Sequence, residues 1–305
     1  AGAGPAEATG GDGAPEAGSA AAGGHRQPVY ETVLTDEQLD RWIARIEKAE
    51  LVAFDTETTS LDPMRAELVG LSLAIDPWEA CYIPVAHRYT GAPDQLGRDH
   101  VLGKLREWLQ SPKHFKVGQN LKYDAHVLEN HGVRLAGIEH DTLLQSYVLE
   151  AHRSHDMDSL AERHLHRRTI RYDEVTGKGS NRIGFEEVAI ERATEYAAED
   201  ADVTMHLHRT LFPQIAGDDK LLAIYRDIEV PVSVILQRVE RNGVLVDADY
   251  PIDNPKVLSW RLMVHGDQCS MLGERENGAA VLRWGASVLP EAASDLCEAA
   301  GHYDA

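Results

Sequence analysis

The chain has 305 residues, 43% apolar and 26% charged, with no apolar run of 18 or more, which excludes a helical membrane span and a wholly disordered chain and leaves one or two domains. Acids outnumber bases 50 to 30, for a net charge of −20; such a surface repels a polyanion unless bases or metal ions mask it locally, which argues against a general nucleic-acid coat. Three widely spaced cysteines, Cys81, Cys269 and Cys297, form no CxxC pair, so neither a disulfide framework nor a cysteine zinc site is supported and a reducing compartment is expected.

Residues 1–27 are almost all Ala, Gly, Pro and acid. They cannot bury enough apolar surface to offset ordering entropy and read as a disordered linker, and their stretch AGSAAAGG is too short and weakly apolar for a signal-peptide core. From Tyr30 to about Val246 the pattern is that of a folded domain. LVAFDT (51–56), ELVGLSLAI (67–75) and EACYIPVA (79–86) read as strands, joined by the turns LDPMRA and DPW into an antiparallel meander. A helix is expected from Arg98 to Leu109, closed by Ser111 and Pro112, followed by a short strand HFKVG (114–118). Another helix starts at Leu121, with Asn120 at its cap and Gly132 past its end. Further helices are expected at Asp141–Leu149, Asp158–Leu165 and Phe185–Leu211. Strands, a βα alternation and a helical second half make the chain α/β or α+β with a mixed sheet. From about residue 249 to 305 neither a helical nor a strand period persists, although the stretch holds two of the five Trp; it reads as an irregular extension or as an out-of-frame or truncated end.

Three constellations carry candidate chemistry. Asp55 and Glu57 lie two apart at the end of an apolar strand, so they share a face and repel each other unless a cation sits between them or one is protonated; solvated strand-end acids would show the same pattern. Asn120 and Asp124 are four apart on a helix's opening turn, where the macrodipole favours an acid in any case. Lys116, Lys122 and Tyr123 flank them, a mixture that suits a single-strand nucleic-acid surface among others. Tyr196 and Asp200 are i,i+4 on a long helix, and Asp202 should face elsewhere. Four converging acids would hold two divalent ions through oxygen ligands, the arrangement that clamps the attacking and leaving oxygens of a phosphodiester displacement.

The strings FDTETTSLD, LVGLS, YIPVAH, VGQNLKYD, HDMDSLAERHL, GKGSN and YAAEDADVT, in that order and followed by VERNGVLVD, resemble the proofreading 3′→5′ exonuclease domain of bacterial family A DNA polymerases. The resemblance covers about residues 50–246. It implies a ribonuclease H-like mixed β-sheet flanked by helices, with a domain at 28–217, a helix and turn at 218–248 opening a polymerase domain that does not follow, and a tail at 249–305. It implies that Asp55, Glu57 and Asp200 ligate one metal ion and Asp55 with Asp124 a second, and that Tyr196, beside Glu57, orients the attacking water. Mg²⁺ or Mn²⁺ would serve, with Zn²⁺ admissible at one site. Leu61, Gln119, Asn120, Tyr123 and Tyr172 match positions that hold the last unpaired nucleotides, Leu61 by packing on the terminal bases; from the residues alone, Leu61 would be a turn residue packing inward. Tyr172 stands where Phe is frequent, and Ser154 stands where some members carry Arg, with Arg153 beside it.

The activity implied is metal-dependent release of 5′-mononucleotides from single-stranded or frayed DNA 3′ ends, in a monomeric, cytoplasmic, nucleoid-associated bacterial protein with a polymerase domain as partner in the full-length parent. Nothing after Val246 resembles a thumb, fingers or palm, so no polymerase activity is expected. A ribonuclease D-like RNA exonuclease is the enzymatic alternative, against which HDMDSLAER and GKGSN speak. An inactive structural or nucleic-acid-binding module is the other. The histidines His152, His155, His164, His166, His206 and His208 read as surface or satisfied side chains in preference to a zinc site.

Overall fold

A computed structural model describes residues 27–243; the Ala/Gly-rich start and the expected irregular tail lie outside the described residues. Two elements precede the first strand expected from sequence. β1 (Val29–Thr32) leads into α1 (Asp36–Ile46). A reciprocal capping box opens α1: Thr35 Oγ1 accepts from the Gln38 N–H, and Gln38 Oε1 accepts from the Thr35 N–H. β2 (Leu51–Thr58), β3 (Leu68–Asp76) and β4 (Glu79–Pro84) then form the expected antiparallel meander.

α2 (Arg98–Gln110), β5 (Phe115–Gly118) and α3 (Leu121–Asn130) follow as the sequence indicates. β6 (Ile138–Asp141), which sequence reading passed over, takes the start of the next expected helix, so α4 spans Thr142–Glu150. α5 (Met157–Leu160) runs on as a π turn over Ala161–Leu165, and α6 covers Tyr172–Thr176. The long helix does not begin at Phe185. Phe185–Glu187 is a separate 3₁₀ turn, and α7 runs from Ile190 to Ala216. α8 (Asp219–Ala223) and α9 (Val230–Asn242) close the described chain. No described helix is long and apolar enough to cross a membrane.

The six strands are ordered β1-β4-β3-β2-β5-β6, with β3 antiparallel to both its neighbours and every other pairing parallel. The result is a ribonuclease H-like mixed sheet flanked by helices. One face carries large side chains, among them Phe54, Leu71, Leu73 and Ile83, packed against Trp42, Trp108 and Leu128 of α1, α2 and α3. On the other face the side chains are small where the middle of α7 crosses. Ala53, Ala74 and Ala80 meet Ala198 and Ala201 of α7 in a fully buried seam, so the helix backbone lies close against the sheet.

Candidate active site

The carboxylates gather where β2 runs out. Asp55 and Glu57 project from the seam face of β2, opposite Ser72 and Gly70 of β3, and the β2–β3 register shifts just after Glu57, an irregularity of the kind that re-aims side chains at site edges. Gly70 has a steric reason to be glycine, because a Cβ there would lie 2.2 Å from the Tyr82 hydroxyl. α7 crosses this face and, held near by its alanines, brings in Asp200. Ligand oxygens of Asp55, Glu57 and Asp200 all lie within 4.8 Å of one another. The Tyr196 hydroxyl, one turn before Asp200, lies against its carboxylate. The segment after β4 holds the start of α7: His87 Nδ1 donates to Val188 O (2.9 Å), Arg88 N–H to Glu186 O (2.6 Å), and the Tyr89 hydroxyl accepts from Ile190 N–H (3.1 Å). With Nδ1 carrying the proton, Nε2 of neutral His87 accepts from the Tyr82 hydroxyl at 2.8 Å.

Asp124 completes the cluster from the first turn of α3, buried, with Thr56 Oγ1 donating to it at 2.6 Å. Burial is the main cause that holds all four carboxyls above the ordinary carboxylate range; mutual repulsion adds to it, from Asp200 at Asp55 and from Asp55 at Glu57 and Asp124. The Tyr196 phenol is likewise pushed up, first by burial and then by Asp200. Glu57 Oε1 is buried and has no hydrogen-bond partner. An all-oxygen set of repelling, partly unsatisfied carboxylates fits a hard divalent cation.

Of the expected substrate-side residues, Tyr123 precedes Asp124 on α3 and Tyr172 stands against Tyr196. Leu61 is 72% exposed, so it does not pack inward as residue type alone suggested. Its loop is held by the Tyr123 hydroxyl, which donates to Ser60 O and sits on Thr58 Oγ1. Gln119 donates to His155 O at 2.8 Å and its Oε1 accepts from Thr142. Asn120 caps α3 in the left-handed region (φ 67) without a side-chain capping bond, so the helical i,i+4 argument linking it to Asp124 does not apply. Tyr172 packs face to face on Phe185 and edge-on to Tyr196, both at 6.0 Å.

A family model described as 3′-5′ exonuclease matches residues 30–216. The chain belongs to this 3′-5′ exonuclease domain family of DNA polymerase A. It is 48% identical over 223 residues to DNA polymerase I of Pseudomonas aeruginosa, covering 72% of this chain and 24% of that one. To DNA polymerase I of Rhizobium leguminosarum it is 43% identical over 239 residues, 72% of this chain and 23% of the relative. The chain thus spans about a quarter of the curated relatives it matches. In fold it is similar to RNase D of Trypanosoma brucei (TM-score 0.54, 17% identity, 73% of this chain and 77% of that one). It is also similar to the POL domain of Pol1 from M. smegmatis in complex with DNA primer-template and dNTP (TM-score 0.57, 19% identity, 83% of this chain and 37% of that one).

Several residues of the exonuclease domain sit otherwise than their sequence context suggests. Lys116 does not flank a nucleic-acid surface: it is fully buried, its ammonium donating to Trp108 O (2.7 Å), His114 O (2.8 Å) and Ser111 O (3.3 Å), and burial pulls its pKa down to about 7. Lys122 is paired with Glu240. Asp202 faces away from the cluster, as its place on the helix requires, and binds Arg167, Tyr30 and the Trp78 N–H. Among the histidines, His155 stacks on Tyr147, His164 meets Glu150, His206 meets Asp202 and His208 meets Gln145, while His152 and His166 are exposed. Arg153 faces Glu150 at 3.8 Å.

One residue that sequence reading missed is Asp141. Its carboxylate accepts from Asn120 N–H (3.0 Å) and Leu121 N–H (2.8 Å) at the start of α3, and from Leu143 N–H (2.9 Å) and Leu144 N–H (3.4 Å) at the start of α4. It fixes the turn that carries Gln119, Asn120 and Asp124. An Asp directly before an apolar helix is an N-cap signal; its second set of bonds, 20 residues upstream, leaves no trace in sequence.

Proposed function

We propose that this exonuclease domain hydrolyses the terminal phosphodiester of single-stranded or frayed DNA 3′ ends, releasing 5′-mononucleotides as in proofreading during replication and repair, with two divalent ions, Mg²⁺ or Mn²⁺. The convergence of Asp55, Glu57, Asp124 and Asp200, three of them with ligand oxygens within 4.8 Å, is the observation that carries the reading. Asp55, Glu57 and Asp200 would hold one ion and Asp55 with Asp124 the other; bound there, the ions supply Lewis-acid stabilisation of the charge that develops on the phosphate. Tyr196, with its phenol pKa raised by burial and by Asp200, keeps its proton and acts as a hydrogen-bonding guide for the water and not as a base. Glu57 lines the same side. Leu61, Tyr172, Gln119 and Asn120 shape the slot for the terminal nucleotides, and Tyr123 steadies it. In a longer parent, a polymerase domain would pass the primer end to this slot.

The test is a gel assay with end-labelled DNA and RNA oligonucleotides of one sequence, in Mg²⁺, Mn²⁺ or EDTA, with a primer-template and dNTP arm. Stepwise shortening of DNA from the 3′ end in Mg²⁺, none in EDTA and no primer extension are expected. Faster shortening of RNA than of DNA would replace the substrate assignment, and no metal-dependent shortening of either strand would sink the enzymatic reading.

A further inference from the structure

Between residues 166 and 184 the sequence carries five Lys and Arg: Arg167, Arg168, Arg171, Lys178 and Arg182. Four of them face a carboxylate. Arg167 binds Asp202 and Glu199, Arg168 binds Glu174 (2.7 Å), Arg171 stands 3.9 Å from Asp158, and Lys178 binds Asp173 (2.8 Å). Arg182, among the described residues, has no carboxylate within salt-bridge distance; its guanidinium lies over the Tyr172 ring, 5.1 Å from the centroid. Tyr172 in turn stands edge-on to Tyr196 at 6.0 Å, and the Tyr196 hydroxyl lies on Asp200. An ordered stack, Asp200, Tyr196, Tyr172, Arg182, therefore leads from the carboxylate cluster to a cation at the surface.

The loop holding Arg182 there is built. Gly177 (φ 83) and Gly179 (φ 59) take left-handed turns, and a Cβ on Gly177 would lie 3.1 Å from Asn181 O. Ile183 N–H closes the loop on Thr176 O at 2.9 Å, and Arg182 N–H returns to Gly179 O at 3.2 Å. The guanidinium is thus held by backbone turns and a ring face, and among the described residues it is in no salt bridge, although its charge acts on the Asp173 carboxylate.

We propose that Arg182 binds a backbone phosphate of the substrate strand beside the cluster and so contributes to holding the 3′ end in place. This rests on the exonuclease reading above. A chain of net charge −20 with four carboxylates at its site repels a polyanion, and the nearby cations spent on carboxylates add little attraction. An arginine in no salt bridge among the described residues and pre-oriented by stacking offers a forked, charge-assisted donor that matches phosphate oxygens. The bland alternative is a solvated arginine packed on a tyrosine, which would do nothing to a substrate.

The test measures steady-state KM and kcat on a single-stranded oligonucleotide across a salt series, together with binding of the labelled oligonucleotide in EDTA. A small thymidine 5′-phosphate p-nitrophenyl ester, which has one phosphate, is run in parallel. For R182A, a KM about 5 to 10 times higher is expected, with kcat within about twofold and the slope of log KM against log salt shallower by about 0.7. Turnover of the small ester should not change, and R182K should keep most of the salt slope. If the parent degrades the oligonucleotide and R182A matches it in KM and salt slope, the inference falls and the exonuclease reading stands. Equal losses on the oligonucleotide and the small ester would reduce Arg182 to a structural prop. A parent that neither cleaves nor binds the oligonucleotide overturns both.

Discussion

Replacing Asp55 by Asn removes one charge from the cluster while keeping side-chain volume and an acceptor for the Thr56 N–H. The oxygens of Asp55, Glu57 and Asp200 lie within 4.8 Å of one another; at an effective dielectric of about 20, two unit charges at that separation repel by about 3.5 kcal/mol. The full repulsion of two such pairs is not recovered, because the native cluster escapes part of it by keeping a proton, as the raised carboxyl pKa values express. A proton held by the folded state and absent from the unfolded one lowers stability by about 1.4 kcal/mol for each pH unit above the ordinary carboxylate pKa, until the folded pKa is passed. In EDTA, Asp55→Asn should therefore exceed the parent by about 1.5 kcal/mol or less near pH 5 and by roughly 2 to 4 kcal/mol at pH 8, or about 5 to 10 °C in Tm. Urea unfolding of both proteins between pH 5 and 8 measures this, and the difference between them cancels groups that titrate alike in both. Mg²⁺ should stabilise the parent more than the variant, since the variant lacks a ligand. A variant no more stable than the parent at pH 8 in EDTA, or a gap that does not widen with pH, would refute the picture of a strained cluster awaiting a cation.

Tyr196→Phe should lower kcat by about 10- to 100-fold and keep the shape of the pH–rate profile, whereas Asp200→Ala should reduce hydrolysis to background; equal losses and a shifted profile would make the phenol a base. Asp141→Asn gives up half of a carboxylate's acceptor capacity for four N–H groups and should cost about 1 to 3 kcal/mol in urea unfolding, with a larger loss of exonuclease rate than of stability as the α3 turn loosens. Burial holds His140 neutral with a pKa near about 3, His208 likewise near about 4. Because both lie below the unfolded value of about 6.5, this stability is intact above pH 6.5 and lost as the pH falls toward 4. His140→Phe should thus match the parent at pH 7.5 and exceed it by roughly 2 to 4 kcal/mol at pH 4, measured as the midpoint of acid unfolding.

The strands of the meander and the helices after them were legible because each follows a local rule, such as an apolar run between turns in β2 and a breaker past the end of α3, whereas the four acids showed only suggestive spacings that the family resemblance tied together. β1 and β6 were not, since each has four residues and is fixed by pairing with strands far away in sequence. α1 was missed although its capping box, Thr35 with Gln38, was in plain view. Lys116 misled because a lysine between apolar residues reads as surface, whereas three carbonyls, from the end of α2 and the segment between it and β5, take it inside. The expected helix start at Phe185 failed because the aromatic belongs to the tyrosine stack, and the chain reaches α7 only after Val188 has met His87.

The alanine seam between α7 and the sheet separates two coordinates of the site. Side chains this small set the height of the helix above β2, and of the seam residues that α7 contributes only Met205 is large. Travel along the axis is arrested before the helix starts, where His87, Arg88 and Tyr89 grip Val188, Glu186 and Ile190, and again along it, where Asp202 binds Tyr30, Arg167 and the Trp78 N–H. Enlarging a seam alanine would lift Asp200 away from Asp55, while loosening both grips would carry Tyr196 and Asp200 together past Glu57 at constant height. Elevation and sliding can therefore be altered independently, by substitutions in separate parts of the chain.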